Sequence, residues 1–141
     1  MAAERAQRFV DALAKLEESG DVESIVSLFT EDAQVSNVAS HRVFSGLDGV
    51  RQFWRDYKAM LAQVRSTFRN MIESADRVAL EWETQGTARN GAAVSYEGVS
   101  ILEWDGDHIR RFYAYFDPGL LGREIAHGTA QRSEAPATTP A

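Results

Sequence analysis

Residues 77–117 read RVALEWETQGTARNGAAVSYEGVSILEWDGDHIRRFYAYFD, and this stretch decides the fold. Apolar and polar side chains alternate along three runs, with the period of a β-strand. The runs are separated by Arg-Asn-Gly at 89–91 and by Asp-Gly-Asp at 105–107. Asn-Gly and Asp-Gly tolerate the positive φ that a tight hairpin turn requires. The three runs and their turns, together with a fourth strand-like run at 66–74, predict a four-strand antiparallel meander.

Upstream of the meander the apolar period changes from two to that of a helix. Apolar residues at three- and four-residue spacing predict a helix from residue 4 that stops near Gly20, and a second helix capped by Asp21 that ends before 30–33. A short strand is predicted at 33–38, a polar loop at 39–48 and a third helix at 49–61. Asp117 and Pro118 predict the start of a short C-terminal helix, because Asp is a good cap and proline suits the first helical position.

Composition excludes several functional classes. The chain has 141 residues, no cysteine and a formal net charge of −6, so thiolate metal sites, disulfides and a nucleic-acid surface are not expected. His41, His108 and His127 lack metal-ligand spacing, and no glycine-rich nucleotide motif occurs, so we predict neither a metal nor a cofactor. The N-terminus lacks a signal peptide and no run could span a membrane, which predicts a soluble, cytoplasmic protein. We expect one domain over 1–127 and a disordered tail over 128–141.

Four segments carry a resemblance to a known family: SGDVESIVSLFTEDAQVSN, FSGLDGVRQFW, DRVALEW and GDHIRRFYAYFDP. Together with the order of elements they resemble the nuclear transport factor 2-like superfamily, and within it the SnoaL-like proteins. The resemblance covers roughly residues 5–127. It implies a cone-shaped α+β fold, in which a curved, mostly antiparallel sheet wraps over three N-terminal helices and encloses a pocket. The group includes polyketide cyclases, limonene epoxide hydrolases and ketosteroid isomerases, so the fold does not settle the function.

The resemblance also implies where catalytic side chains would lie, and the sequence departs from the family there. The base of ketosteroid isomerases corresponds to Asn37, their tyrosine to a position near Leu13 and their second acid to a position near Val99. None of these side chains can perform its role in that reaction, which needs a carboxylate base beside tyrosine and carboxylic acid donors. The isomerase hypothesis is therefore disfavoured.

The other two family mechanisms meet the same difficulty. The arginine and first aspartate of limonene epoxide hydrolases correspond to Trp82 and Thr84, their second aspartate to Ala114 and their tyrosine to Val35, while Asn37 alone matches. The acid/base aspartate of polyketide cyclases corresponds to Ala114 as well. The usual catalytic carboxylates of the family are thus absent.

Strand alternation predicts which side chains face the pocket. If Ala114 faces inward, Phe112 and Phe116 lie beside it, and Trp82 and Thr84 face inward from a neighbouring strand. The predicted ligand-binding residues are Asn37, Trp54, Tyr57, Trp82, Thr84, Val99, Phe112, Ala114 and Phe116. The alternative for Trp54, Tyr57 and Trp82 is that they pack in the core, and the alternative for Asn37 is a satisfied amide at a strand end.

Glu97 is the remaining acid/base candidate. It shares its parity with Val99 and Ile101, which would make it an inward carboxylate. The alternative places Glu97 near the open end of the cone, where it is solvated or paired with an arginine.

Three functions follow from these patterns. The first is a protein that binds a small hydrophobic or aromatic molecule in the cone. The second is a SnoaL-like cyclase, isomerase, dehydratase or hydrolase that uses Glu97 as a non-standard acid/base. The third is an interaction module whose cone is filled by side chains.

An aromatic outer sheet face predicts a homodimer. Members of the superfamily often dimerise through that side of the sheet, and exposed apolar patches commonly mark interfaces. The residues predicted to share this face are Tyr96, Leu102, Trp104, Tyr113 and Tyr115.

Overall fold

The computed structural model describes residues 2–126, with side chains from residue 4 onward. Its elements in chain order are α1 (Ala2–Ser19), α2 (Val22–Val26), β1 (Phe29–Asn37), β2 (Phe44–Ser45), α3 (Gly46–Met60), β3 (Leu61–Glu73), β4 (Arg77–Ala88), β5 (Ala93–Asp105) and β6 (His108–Phe116). A further helix, α4, covers residues 118–126. His127 and the tail predicted at 128–141 lie outside the described residues.

The strands form one six-stranded sheet in the order β2-β1-β6-β5-β4-β3. β3 to β6 pair in an antiparallel meander, β1 pairs with β2 antiparallel, and β1 pairs with β6 in parallel. Register shifts interrupt three of the pairings, and such bulges bend and twist strands. The predicted α+β cone, with a curved sheet over N-terminal helices and a short C-terminal helix, is confirmed.

Three boundaries differ from the sequence prediction because strand pairing extends further than the local pattern indicates. The helix expected to reach Phe29 ends at Val26, since Phe29 already pairs with Ile109 of β6. The loop expected at 39–48 contains β2, whose Phe44 pairs with Val35 of β1. β3 also begins earlier than predicted, directly where α3 ends.

Both predicted helix caps are present. The Asp21 carboxylate accepts hydrogen bonds from the backbone N–H and hydroxyl of Ser24 at 3.2 and 2.6 Å, and these bonds lower the pKa of Asp21. Asp117 Oδ1 accepts from the Leu120 N–H at 3.0 Å and starts α4. An ordered cap satisfies a backbone donor that the helix itself leaves unpaired.

The orientation predicted for β5 is wrong. Tyr96, Leu102 and Trp104 are buried on the concave face of the sheet, whereas they were expected on the outer face. The concave face of β5 also carries Gly98 and Ser100. These small residues break the row of apolar side chains that would otherwise mark this face as the inner one. Since Gly98 pairs with Phe116 and Ser100 with Ala114, both lie on the face that Ala114 shares.

Candidate functional site

A cavity of about 470 Å³ lies between the concave face of the sheet and the helices. Ligand sites in proteins commonly have volumes of about 300–1,000 Å³, so its size suits a small organic molecule. Its wall is mainly apolar, with rings from Phe9, Phe44, Phe53, Trp54, Tyr57, Phe68, Trp82, Tyr96, Phe112 and Phe116. The cone is therefore hollow and not filled by its own side chains.

Trp82 shapes the sheet side of the cavity. Its indole Nε1 donates a 2.9 Å hydrogen bond to Ser100 Oγ on the adjacent strand. The ring passes over Gly98, where an added Cβ would lie 2.7 Å from Trp82 Cζ2 and 2.2 Å from the carbonyl oxygen of Tyr115. Only a residue without a side chain leaves room for this arrangement, because Cβ atoms do not approach other atoms so closely.

Three rings meet at one side of the cavity. The centroids of Trp82 and Tyr96 lie 5.5 Å apart with the planes at 88°, and Phe116 lies 5.5 Å from Tyr96 and 6.2 Å from Trp82. The Trp82–Tyr96 contact is edge-to-face and the other two are tilted, and such contacts hold the rings in fixed orientations.

Glu17 forms a buried polar network behind this wall. The residue is 7% exposed, and its carboxylate accepts hydrogen bonds from the Tyr57 hydroxyl at 2.6 Å, the Ser66 backbone N–H at 2.8 Å and the Ser66 hydroxyl at 2.6 Å. Ser66 Oγ also lies 2.7 Å from Thr84 Oγ1. Tyr57, Ser66 and Thr84 line the cavity, so the network connects α1 with the cavity surface.

Burial and the negative charge of Glu17 disfavour ionisation of the neighbouring phenols. Burial first, and the Glu17 charge second, raise the pKa of Tyr57 well above its usual value of 10.0. The same two causes raise the pKa of Tyr96 to about 12. Both hydroxyls are therefore protonated at neutral pH.

Glu17 was not among the residues singled out from the sequence. The position carried a signal, because residue 17 lies eight positions after Phe9 and four after Leu13 and therefore continues the buried stripe of α1. A carboxylate on a buried stripe needs partners, and these come from α3 and β3. No local pattern in the sequence indicates that Tyr57 and Ser66 supply them.

Most of the predicted ligand-binding residues line the cavity. They are Asn37, Trp54, Tyr57, Trp82, Thr84, Phe112, Ala114 and Phe116. Their role in binding stays a prediction.

Glu97 and Val99 do not line the cavity. Glu97 has a side chain that is 64% exposed on the outer face of β5, where it pairs with Arg69. Val99 lies on the same outer face, opposite Tyr115 of β6. The inward orientation expected for both is wrong, because β5 turns its even-numbered residues toward the cavity. Glu97 pairs with an arginine, as the alternative expected, but on the outer face of β5.

The side-chain amide of Asn37 uses its oxygen in hydrogen bonds to the backbone, whereas its nitrogen has no partner in the described chain. Its Oδ1 accepts from the backbone N–H groups of Ala39 and Ser40 at 3.0 and 3.2 Å, which fixes the orientation of the amide. Nδ2 makes no hydrogen bond to the part of the chain described here, and Asn37 lines the cavity. Trp54 Nε1 is likewise buried without a partner within residues 4–126.

Asp56 is the acidic residue that contributes directly to the cavity wall of the described chain. It is exposed at the rim and accepts a 2.7 Å hydrogen bond from Gln52 Nε2. Residues 4–126 contain no cluster of three or more His, Cys, Asp or Glu side chains that could hold a metal ion. The described helices include none that is long and apolar enough to cross a bilayer, and the cytoplasmic location stays a prediction.

This architecture is the nuclear transport factor 2-like α+β cone. Comparison with known families identifies the family within this fold. The model of the SnoaL-like domain matches residues 6–112. The chain therefore belongs to the SnoaL-like family. No curated protein matches the sequence.

Solved structures share the fold at low sequence identity. A protein with a ketosteroid isomerase-like fold from Catenulispora acidiphila, in complex with trimethylamine, has a TM-score of 0.73 and 19% identity over 82% of this chain and 90% of that chain. An LEH-like epoxide hydrolase of M. tuberculosis has a TM-score of 0.71 and 15% identity, covering 92% and 96%. TerC, co-crystallised with polyporic acid, has a TM-score of 0.76 and 19% identity, covering 86% and 98%. At such identities the likeness shows the fold alone.

Proposed function

We propose that this protein binds a small, mainly apolar molecule in the cavity of the cone. The observation that carries the proposal is the hollow volume of about 470 Å³ inside a wall of aromatic rings. Protein interiors are normally packed almost without voids, so a space of this size is retained at a cost in stability. A molecule that fills it would regain the contacts that the rings lack.

The polar groups of the wall support orientation of a ligand. Nδ2 of Asn37 is a donor without a protein acceptor in the described chain, and Asn37 lines the cavity. A ligand oxygen that reached this donor would satisfy it. Among proteins of this fold, the one from Catenulispora acidiphila was solved with trimethylamine and TerC with polyporic acid. Both cases support small-molecule binding as a use of the fold.

Catalysis of the family kind receives less support from this wall. The carboxylate of Asp56 lies at the solvated rim, and the oxygens of Glu17 are occupied by three donors. A general acid or base must reach the reacting atom directly or through one water. We therefore prefer binding to turnover as the function of the cavity.

Titration with cyclohexylmethanol, a neutral apolar probe, followed by calorimetry tests the binding proposal. Ala114→Leu adds three carbons inside the cavity, and Ala79→Leu makes the same change on the outer face of β4. We expect binding to the wild type and to Ala79→Leu, and at least tenfold weaker binding to folded Ala114→Leu. Equal affinity in both variants would contradict the proposal.

We also propose a homodimer through the outer sheet face. Tyr113 and Tyr115 remain from the sequence prediction, and Val99 and Ile101 replace Tyr96, Leu102 and Trp104, which are buried on the other face. Val99 pairs with Tyr115 and Ile101 with Tyr113 across β5 and β6, and the two tyrosine rings lie 4.6 Å apart. Tyr115 is 49% exposed. These four side chains form a continuous apolar patch.

Charged clusters of opposite sign flank this patch. At one end Arg69 contacts three carboxylates, those of Glu81, Glu83 and Glu97. At the other end Glu103 contacts three guanidinium groups, those of Arg77, Arg110 and Arg111. A second copy placed face to face with its strands reversed would set each acidic cluster against a basic one. Charge complementarity therefore favours a two-fold dimer of this chain as the occupant of the patch.

A further inference from the structure

The hydrogen-bond directions in the Glu17 network determine what the inner cavity wall can offer to a ligand. Tyr57 and Ser66 each have one hydroxyl proton, and both protons point to Oε2 of Glu17. Ser66 Oγ and Thr84 Oγ1 lie 2.7 Å apart. Because the Ser66 proton is already donated to Glu17, the Thr84 hydroxyl is the donor of this second bond. Toward a molecule in the cavity, the hydroxyls of all three residues can therefore act as hydrogen-bond acceptors and not as donors.

Within the described part of the chain, the charge of Glu17 has no cationic partner. Its carboxylate makes no salt bridge within residues 4–126, and its neighbours in the network are neutral hydroxyls and one backbone N–H. A buried carboxylate without a counter-ion produces a strong negative potential, because the surrounding rings screen it far less than water would.

Aromatic surfaces of the same wall also favour positive charge. Trp82, Tyr96 and Phe116 contact one another at steep angles, and Tyr57 meets Trp54 with centroids 5.6 Å apart at 78°. The faces of aromatic rings attract cations, and groups of rings at steep angles are the usual receptors for alkylated ammonium groups. Hydroxyls of Tyr96 and Ser100 can accept as well as donate, so they do not oppose this preference.

From these observations we propose that the ligand carries an ammonium group, which lies against the oxygens of Tyr57, Ser66 and Thr84 with the carboxylate of Glu17 behind them. The ligand class is an apolar amine, protonated at neutral pH. This inference rests on the proposed binding function and makes it more specific, since it states the charge of the molecule and where that charge lies.

A series of probes with one carbon skeleton separates the two claims. Cyclohexylmethylammonium, cyclohexylmethanol and cyclohexanecarboxylate differ in charge at pH 7 and share the ring. Calorimetry on the wild type should give the tightest binding for the ammonium, by at least about tenfold over the alcohol, and the weakest for the carboxylate. A tenfold difference corresponds to about 1.4 kcal/mol.

Glu17→Gln removes the charge and keeps the shape of the side chain, and Glu97→Gln is the matched control outside the cavity. The preference for the ammonium should disappear in Glu17→Gln and persist in Glu97→Gln. If the alcohol binds the wild type as tightly as the ammonium does, the ammonium inference is overturned while the binding function stands. If none of the three probes binds, both are overturned. The wild-type series decides the question even if Glu17→Gln does not fold.

Discussion

The Tyr57 hydroxyl lies 2.6 Å from Oε2 of Glu17, and this bond joins α3 to α1 at the inner wall of the cavity. Ser66 brings β3 to the same carboxylate through its N–H and its hydroxyl. One buried side chain therefore holds three elements around the cavity and also sets the charge of its wall. The stability of the fold and the proposed ligand preference therefore both depend on residue 17.

Glu17→Ala should destabilise the fold by at least about 3 kcal/mol, because a buried donor left without an acceptor costs about 1–3 kcal/mol and three donors lose theirs. Urea unfolding followed by circular dichroism measures the change. Glu18→Ala removes the same side chain at the exposed neighbouring position and should shift the free energy of unfolding by less than about 0.5 kcal/mol. Equal effects of the two substitutions would show that the network contributes little.

Alkaline pH should destabilise the protein through Tyr57 and Tyr96. The pKa of Tyr96 rises from 10.0 to about 12 on folding, and the pKa of Tyr57 also rises. Above pH 10 the unfolded chain loses these protons and the folded chain keeps them, so the free energy of unfolding falls as pH increases. The contribution is complete below pH 10 and is lost as pH rises through the folded values.

Urea unfolding at pH 9, 10 and 11 measures this slope. Tyr57→Phe has no proton to lose at residue 57, so its stability should fall less steeply than that of the wild type. Parallel slopes would indicate that Tyr57 ionises equally in the folded and unfolded states, against the burial described above.

Gly98→Ala should cost about 1–3 kcal/mol, the usual range for forcing extra atoms into packed space. The added Cβ would lie 2.2 Å from the Tyr115 carbonyl oxygen and within 2.9 Å of two Trp82 ring atoms, so Trp82 must move. Thermal unfolding and near-ultraviolet circular dichroism report stability and the environment of the indole. Gly122→Ala is the control, since no atom lies within 4 Å of its added Cβ, and it should be neutral or stabilising.

Sedimentation equilibrium tests the proposed dimer. Tyr115→Glu places a charge in the centre of the apolar patch and should give a monomer, whereas Tyr115→Phe should remain dimeric. Higher salt should weaken the wild-type dimer by screening the paired clusters. A wild type that sediments as a monomer at micromolar concentration would rule the dimer out.

How far the sequence predicts this molecule depends on how local the signals are. The turns at 89–91 and 105–107 and the alternation in β4 and β6 were enough to predict the meander. The inward positions of Trp82 and Ala114 needed the family resemblance as well, because alternation alone does not say which face is inside. The orientation predicted for β5 was wrong because its inward face carries the small residues Gly98 and Ser100, which accommodate the Trp82 indole from the next strand. Its outward face carries Val99 and Ile101, so apolarity alone indicated the wrong side.

Long-range partners limited the prediction of the site in the same way. Glu17 lies 40 residues from Tyr57 and 49 from Ser66 along the chain, and only the packing of α1 against α3 and β3 brings them together. The start of β1 could not be predicted for the same reason, because Phe29 takes its strand conformation from pairing with the distant Ile109. Periodicity reports which face an element buries, and not what it is buried against.

Native mass spectrometry of the protein purified from its own host tests the central claim most directly. We predict that the wild type carries an additional small mass, released on gentle activation, that is retained in Ala79→Leu and lost in Ala114→Leu. If the released molecule is an amine, the ammonium inference is supported as well. Wild-type protein that shows only the mass of the chain, or an adduct that survives Ala114→Leu unchanged, would contradict a ligand-binding cavity.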